Sequence, residues 1–215
     1  LDETAPLDAL DLDAATRLVD AGAILLDGRT PEEFARGHLV GSVNVGLDGR
    51  YAEFAGSVVP SDVDIVLVAD PGFEIEARNR LGRIGFDRVV GYLADPLAVM
   101  SEHPDRTARA SRLTVPEFER RRAEIDGLQL IDIRNPGEIA IGSIAGSVEL
   151  PVGQLPGRLD ELDPDAPTVV YCAGGYRSSV AASVLRRAGF TDVSDLVGGY
   201  GAWLEFAGPS LPAPV

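Results

Sequence analysis

Short apolar runs alternate with amphipathic stretches along nearly the whole chain. Apolar runs rich in β-branched residues predict buried strands, and apolar residues three and four positions apart predict helices. The predicted strands cover residues 24–27, 42–45, 65–69, 89–93, 128–133, 147–150, 168–171 and 193–196. The predicted helices cover residues 13–21, 31–36, 74–83, 116–125 and 178–188. Short strands that alternate with helices predict an α/β fold, in which a mainly parallel sheet has helices on both faces.

The same pattern occurs twice. Residues 26–43 align without a gap with residues 131–148, and Asp, Arg, Pro, Glu, two Gly, Ser and Val recur at matching positions. Further on, the strand before Asp70 aligns with the strand before Cys172, and the helical segment that follows is two residues shorter in the first copy. Self-similarity of this kind predicts a duplicated structural unit.

The duplication predicts two domains. We expect a first domain over residues 1–95, a linker over 96–112, a second domain over 113–208 and a Pro-rich tail over 209–215.

Composition narrows the range of partners. The chain has 215 residues, a formal net charge of −15 and a pI near 4.4. Strong negative charge disfavours nucleic acid and anionic membrane surfaces as partners. No apolar run approaches the roughly 18 residues of a membrane-spanning helix.

Cys172 is the only cysteine. It excludes a disulfide within the chain and a Cys-x-x-Cys metal or redox site, and it favours a reducing, cytoplasmic setting. The printed sequence starts at Leu1 and its one methionine is Met100, so we expect a processed protein or a piece of a longer one.

The candidate chemistry lies around this cysteine. Cys172 ends an apolar strand and is followed by a glycine loop, an arginine and a helix. Loop amides, a helix N-terminus and a guanidinium would favour a thiolate and would hold an anion beside it. We therefore predict Cys172 as a nucleophile. The predicted substrate-binding residues are Ala173, Gly174, Gly175, Tyr176, Arg177 and Ser178.

Other readings of these residues remain open. A lone cysteine is often a small buried apolar side chain. Arg177 is suited both to binding the anion and to an ion pair that braces the loop, and Tyr176 either lines the donor entrance or lies exposed. We expect Asp132 and Arg134 to form a supporting pair near the loop. Trp203 and Phe206 are expected in the core.

The first copy is predicted to be noncatalytic. Asp70 replaces the cysteine, and its charge, with those of Glu74 and Glu76, would repel an anion. Scaffolding, docking to another domain and shaping the entrance to Cys172 are the roles left to it. His38 and His103 lack partners at metal-ligand spacing, so no metal is expected.

Several motifs together resemble a known family. Both copies carry Asp-x-Arg after an early strand, followed by Glu-x-x-x-Gly-x-x-x-Gly-Ser, and the second adds Cys-Ala-Gly-Gly-Tyr-Arg-Ser and a Gly-Gly-Tyr stretch before Trp203. With these motifs the chain resembles the rhodanese family of sulfurtransferases over nearly its whole length. The resemblance implies two tandem rhodanese-like α/β domains, and a Cys172 persulfide that carries sulfur from thiosulfate or a low-molecular-weight persulfide to a thiol or cyanide-like acceptor. It implies no other cofactor.

One position departs from the family pattern. The usual Gly-His pair is present as Gly37-His38 in the first copy and is Gly142-Ser143 in the second. Since this histidine is usually structural in the family, we still expect activity.

The first copy has a second resemblance, through residues 47–50, 65–71 and 83–89. It is similar to the noncatalytic rhodanese repeat that precedes a catalytic one downstream of metallo-β-lactamase-fold hydrolases and persulfide dioxygenases. This implies an upstream metallo-β-lactamase-fold domain as a partner.

Two other functions are alternatives to sulfur transfer. One is a noncatalytic sulfur-relay or binding module that serves such an upstream enzyme. The other is a cysteine phosphatase, which is disfavoured because related phosphatases place five residues between cysteine and arginine, whereas four separate Cys172 from Arg177.

Overall fold

A computed structural model describes residues 3–208, which form two compact units that divide between Arg109 and Ala110. The division falls within residues 96–112, the predicted linker. That segment contains a helix, a 3₁₀ turn, one short strand and the first two residues of another. The predicted tail, residues 209–215, lies outside the described residues.

The first unit alternates strands and helices along its length. Its strands are β1 (Ala9–Leu10), β2 (Ile24–Asp27), β3 (His38–Leu39), β4 (Val43–Asn44), β5 (Ile65–Val68), β6 (Val89–Leu93) and β7 (Thr107–Ala108). Its helices are α1 (Leu12–Asp20), α2 (Pro31–Arg36), α3 (Tyr51–Val58), α4 (Glu74–Gly82) and α5 (Pro96–Glu102), with a 3₁₀ turn at Pro104–Arg106.

The second unit repeats this order without counterparts of β3 and β7, and it has 3₁₀ turns in the place of α3. Its strands are β8 (Ser111–Leu113), β9 (Gln129–Asp132), β10 (Val148–Glu149), β11 (Thr168–Tyr171) and β12 (Val193–Leu196). Its helices are α6 (Val115–Glu124), α7 (Pro136–Ile139), α8 (Tyr176–Arg187) and α9 (Gly199–Ala207), with 3₁₀ turns at Leu155–Gly157 and Leu159–Glu161.

Each unit is built on a five-stranded parallel sheet flanked by helices. The strand order is β1-β6-β5-β2-β4 in the first unit and β8-β12-β11-β9-β10 in the second, so corresponding strands occupy corresponding places. A short antiparallel pair, β3 with β7, accompanies the first sheet. The predicted α/β fold with mainly parallel sheets is confirmed.

The central strand of each sheet is fully buried. All four residues of β5 and all four of β11 are buried, as expected for strands with helices on both faces. In the second unit Phe118, Ile144 and Tyr171 belong to the core cluster, together with Trp203 at 8% exposure. The expectation for Phe206 is wrong: it is 55% exposed, since in the last turn of α9 it is Ala207 that packs on the cluster.

Three helices begin with the same capping arrangement. In α2, α6 and α7 a glutamate in the first turn accepts the backbone N–H of the residue that caps the helix. The pairs are Thr30 with Glu33 (3.1 Å), Thr114 with Glu117 (2.8 Å) and Asn135 with Glu138 (3.1 Å). The predicted start of α2, with Thr30 as its cap and Pro31 as its first residue, is confirmed.

Among the described residues, no helix combines the length and the apolar character that crossing a membrane requires.

Candidate active site

The loop between β11 and α8 places the single thiol at the carboxyl end of the central strand. It consists of Cys172, Ala173, Gly174 and Gly175, and the helix begins at Tyr176. The helix thus begins two residues earlier than predicted. Tyr176, Arg177 and Ser178 therefore lie in its first turn, where backbone N–H groups have no carbonyl partner within the helix.

Cys172 is held inside this loop. Its side chain is buried, with 1% of the residue exposed, and its Sγ accepts the Gly175 N–H at 3.1 Å. The Oγ of Ser178 lies 3.7 Å from Sγ and donates to the Gly175 carbonyl at 3.0 Å. The loop therefore directs the Gly175 amide at the sulfur, and the Ser178 hydroxyl oxygen accepts from the thiol.

Gly175 adopts a conformation that disfavours any other residue. Its φ is +100°, and an added Cβ would lie 3.2 Å from the Gly198 nitrogen. This left-handed turn directs the Gly175 N–H at the sulfur.

Two carbonyls of the loop, those of Cys172 and Ala173, accept hydrogen bonds from α9. Tyr200 N–H donates to the Cys172 carbonyl at 2.7 Å, and Gly201 N–H donates to the Ala173 carbonyl at 3.1 Å. Gly199 makes this approach possible, because an added Cβ there would lie 2.2 Å from the Cys172 carbonyl oxygen. With these two carbonyls held by α9, the loop keeps the Gly175 N–H directed at the thiol.

Arg177 is engaged by a carboxylate that the sequence analysis did not select. Its two terminal nitrogens donate to the two carboxylate oxygens of Glu138, both at 2.6 Å. The hydrogen bonds from Arg177 lower the pKa of Glu138 to about 2, and the capping N–H of Asn135 contributes. Glu138 in turn raises the pKa of Arg177, and the charge of Cys172 adds to that rise.

Asp132 and Arg134 form a buried pair behind the loop. The Asp132 carboxylate accepts from Nε of Arg134 at 2.9 Å and from Nη2 at 2.6 Å. Arg134 also donates to the carbonyls of Gly142 (2.6 Å) and Glu138 (3.3 Å), and its guanidinium lies 4.0 Å from the centre of the Tyr200 ring. The pair thereby contacts both segments that touch the active-site loop, α7 and the start of α9.

The remaining predicted binding residues lie on the more exposed side of the loop and at the first residue of α8. Ala173 and Gly174 are exposed, and Tyr176 is half-buried. The structure thus brings all the predicted binding residues to one loop and one helix turn. Glu138 and Gly199 are the neighbours that the sequence analysis missed.

The corresponding loop of the first unit has a different hydrogen-bond pattern. Asp70 lies at the position of the cysteine, and Phe73 N–H donates to the Asp70 backbone carbonyl at 3.1 Å. Gly72 N–H donates to the Glu74 carboxylate at 2.9 Å. Burial, followed by the charge of Glu33, raises the pKa of Asp70. The amides at this helix start are therefore engaged locally, among carboxylates.

His38 has a structural environment. It is 3% exposed, its ring stacks on Phe34 with 3.8 Å between centroids, and its Nδ1 lies 2.9 Å from the Phe34 carbonyl. Over residues 3–208, no group of three metal-ligating side chains is arranged to hold an ion.

The sequence profile described as Rhodanese-like domain matches residues 11–95 and 114–206. The chain belongs to the rhodanese family. Both of its units are rhodanese-like domains, and the second carries the thiol.

Individual relatives match over about the length of one rhodanese domain. The Bacillus subtilis protein named Uncharacterized protein YqhL is 41% identical over 91 residues, which are 42% of this chain and 70% of the relative. A protein of Allochromatium vinosum named Sulfurtransferase is 38% identical over 92 residues, 43% of this chain and 86% of the relative. Thiosulfate sulfurtransferase GlpE of Pseudomonas aeruginosa is 39% identical over 88 residues, 41% of this chain and 79% of the relative.

Proposed function

We propose that this chain is a sulfurtransferase that carries sulfane sulfur as a persulfide on Cys172. The observation that carries the proposal is the hydrogen bond from Gly175 N–H to Sγ, made inside a loop whose first two carbonyls, those of Cys172 and Ala173, are engaged by α9. Such a loop stabilises negative charge at the sulfur and beside it. Relatives named as sulfurtransferases, among them a thiosulfate sulfurtransferase, support this assignment.

The reaction consists of two displacements at sulfur. In the first, the Cys172 thiolate attacks the outer sulfur of thiosulfate or of a small persulfide; the donor S–S bond breaks, and sulfite or a thiolate leaves with the electron pair. In the second, a nucleophile such as cyanide or a thiolate attacks the terminal sulfur of the Cys172 persulfide, and the Cys172 thiolate leaves. No external oxidant or reductant is needed, since each step forms one bond to sulfur and breaks one.

The loop residues have distinct parts in this reaction. The backbone amides of residues 173–178 hold the donor anion and, after transfer, the terminal sulfur of the persulfide. Arg177 adds a guanidinium at the start of the helix, and the buried pair Asp132–Arg134 positions the segments around the loop. Ser178 lies beside Sγ and orients the loop through the Gly175 carbonyl.

The first rhodanese domain is assigned a noncatalytic role. Its Asp70 cannot accept a sulfur atom, and the amides of its loop bond to neighbouring oxygens. Scaffolding, or docking to a metallo-β-lactamase-fold domain upstream, is the role we propose for it.

Steady-state turnover tests the proposal. Purified protein is mixed with thiosulfate or glutathione persulfide as donor and cyanide as acceptor, and thiocyanate is measured. We expect catalysis by the wild type and none by Cys172→Ser, which keeps the size of the side chain but lacks a sulfur nucleophile. Persulfide formation with negligible thiocyanate would instead indicate the sulfur-relay module. Hydrolysis of phosphate esters that depends on Cys172 would indicate a phosphatase.

A further inference from the structure

The positive side-chain charge around the active-site loop is compensated. Three arginines contact the loop or the segments that hold it, and each is paired with a carboxylate. The pairs are Arg112–Asp195 (3.1 Å), Arg134–Asp132 (2.6 Å) and Arg177–Glu138 (2.6 Å). Attraction for an anion at this loop therefore comes mainly from backbone amides.

Arg177 and Glu138 form the pair that lies closest to solvent. The side chains of Asp132 and Asp195 are 0% and 2% exposed, whereas that of Glu138 is 35% exposed. The pKa of Glu138 is about 2, so its carboxylate stays charged at every physiological pH. The guanidinium in the first turn of α8 thus carries a counter-charge.

A compensated guanidinium affects donors of different charge differently. The exposed loop residues Ala173 and Gly174 carry no charge, and the whole chain has a net charge of −15. Beside these loop residues a dianion has a larger electrostatic penalty than a monoanion, because the penalty scales with the charge of the ligand. The amide dipoles of the loop can satisfy a single charge.

We propose that Glu138 is a specificity-determining residue: by neutralising Arg177 it makes the site favour sulfane-sulfur donors with a single negative charge, as in a persulfide, over dianions such as thiosulfate. The proposal rests on the sulfurtransferase function proposed above. Glu33, Glu117 and Glu138 each cap a helix, so donor selection is a second function of Glu138 alone.

A pair of small donors isolates the charge. Thiosulfate and methanethiosulfonate both offer an outer sulfur on a sulfonyl group, but a methyl group replaces one anionic oxygen in the second, which is a monoanion. The Cys172 thiolate breaks the S–S bond of either donor and releases sulfite or methanesulfinate. The quantity measured is the ratio of kcat/KM for thiosulfate to that for methanethiosulfonate, with cyanide as the acceptor.

Three variants separate charge from structure. Glu138→Gln removes the counter-charge, and Glu138→Asp keeps the charge but shortens the side chain. Glu117→Gln is the matched control, because it removes an equivalent capping carboxylate from α6 in the same unit, and its carboxylate hydrogen-bonds to Thr114. Comparing ratios between variants cancels the intrinsic reactivity of the donors and any general loss of activity.

We expect Glu138→Gln to raise the ratio in favour of thiosulfate by about tenfold, the size of effect expected for one nearby, partly screened charge. Glu138→Asp and Glu117→Gln should keep the wild-type ratio, even where the absolute rates of Glu138→Asp fall. An unchanged ratio in Glu138→Gln, or an equal shift of the ratio in Glu138→Asp, would overturn the role of Glu138 in donor choice. If both donors still load Cys172 in that case, the sulfurtransferase function stands. Failure of the wild type to take sulfur from either donor would overturn the sulfurtransferase function as well.

Discussion

Gly199 supports the active-site loop because it has no side chain. Its φ is +56°, and its missing Cβ leaves room for the Cys172 carbonyl, which accepts the N–H of Tyr200. Any side chain at this position would displace the backbone of the residue that bears the thiol.

Replacement of Gly199 by alanine tests this contact. We expect Gly199→Ala to abolish sulfur loading of Cys172 and to destabilise the second unit, since an added Cβ would lie 2.2 Å from a backbone oxygen. The left-handed conformation costs about 1–2 kcal/mol for alanine, and the steric conflict adds about 1–3 kcal/mol. Urea unfolding is followed through the fluorescence of Trp203, the only tryptophan, which belongs to the core of that unit.

Gly127→Ala is the control. Gly127 also has a positive φ, +77°, but nothing lies within 4 Å of its missing Cβ. This variant should show the conformational cost alone and keep sulfur loading. Equal loading by both variants would contradict the importance of close packing at Gly199.

Glu138 gives the second unit a specific pH dependence. Its pKa falls from the usual 4.5 to about 2 in the folded protein, chiefly through its hydrogen bonds with Arg177. A depressed carboxyl pKa contributes stability that is present above the unfolded pKa and disappears as the pH falls through the folded one.

The difference in unfolding free energy between wild type and Glu138→Gln should therefore be constant above pH 4.5 and decrease as the pH falls towards 2. Trp203 fluorescence in urea at a series of pH values measures it, with Glu117→Gln analysed in parallel to show what a capping carboxylate alone contributes. A difference that does not change over this range would show that Arg177 does not bind the ionised carboxylate preferentially.

At the scale of elements, β5 with α4 and β11 with α8 are the same strand and helix with different turns between them. The cap of α8 is Gly175 with φ +100°, whereas the cap of α4 is Phe73 with φ −99°. Because the backbone turns differently, the N–H of Gly175 meets a side-chain sulfur and that of Phe73 meets the backbone carbonyl of Asp70. Turn geometry therefore distinguishes the two sites as much as the nucleophile does.

A thiol transplanted into the first unit should stay inactive for this reason. In a chain that also carries Cys172→Ser, we expect Asp70→Cys to gain no sulfur from thiosulfate or methanethiosulfonate, because the loop amides are already engaged and Glu74 and Glu76 stand at the helix start. The mass of the intact protein reports the result. Loading of the introduced thiol at a rate near that of the wild type would show that the turn is not decisive.

Sequence patterns predicted the elements that have strong local signals. The bounds of β2, β6, β11, β12 and α2 agree with the prediction. The strands β2, β6 and β11 are mostly apolar runs, and α2 begins at a recognisable cap. The edge strands β1 and β8 were missed, since two or three residues cannot show an alternating pattern. Helix α9 was missed because it starts in a glycine-rich stretch that is typical of a loop.

The candidate site was predictable to the extent that it is local in sequence. The loop from Cys172 to Ser178 could be recognised from its residues, whereas the contact of Arg177 with Glu138 joins positions 39 residues apart and appears only when β9 and β11 pair. A glutamate recurs at the same position in both copies, as Glu33 and Glu138. Because it caps a helix in both copies, its recurrence did not by itself indicate a contact with Arg177.

At the scale of the whole molecule, the chain contains two copies of one fold, with and without the thiol. Two units share one strand order and one arrangement of buried Asp–Arg pairs, at Asp27–Arg29 and Asp132–Arg134. The first unit forms this fold with an aspartate where the second has its thiol, so the fold does not require the cysteine. The function proposed for the chain therefore depends on a single sulfur atom that the architecture does not need.

Sulfur loading of Cys172 in a single turnover is the most direct measurement. The protein is incubated with thiosulfate or methanethiosulfonate without an acceptor, desalted, and analysed by mass spectrometry of the intact chain and of its peptides. We predict one added sulfur atom, located on the peptide that contains Cys172, and its complete removal by cyanide with release of an equal amount of thiocyanate. A wild-type chain that keeps the added sulfur in the presence of cyanide would indicate the sulfur-relay module instead. A wild-type chain that gains no sulfur from either donor would contradict sulfur transfer through Cys172.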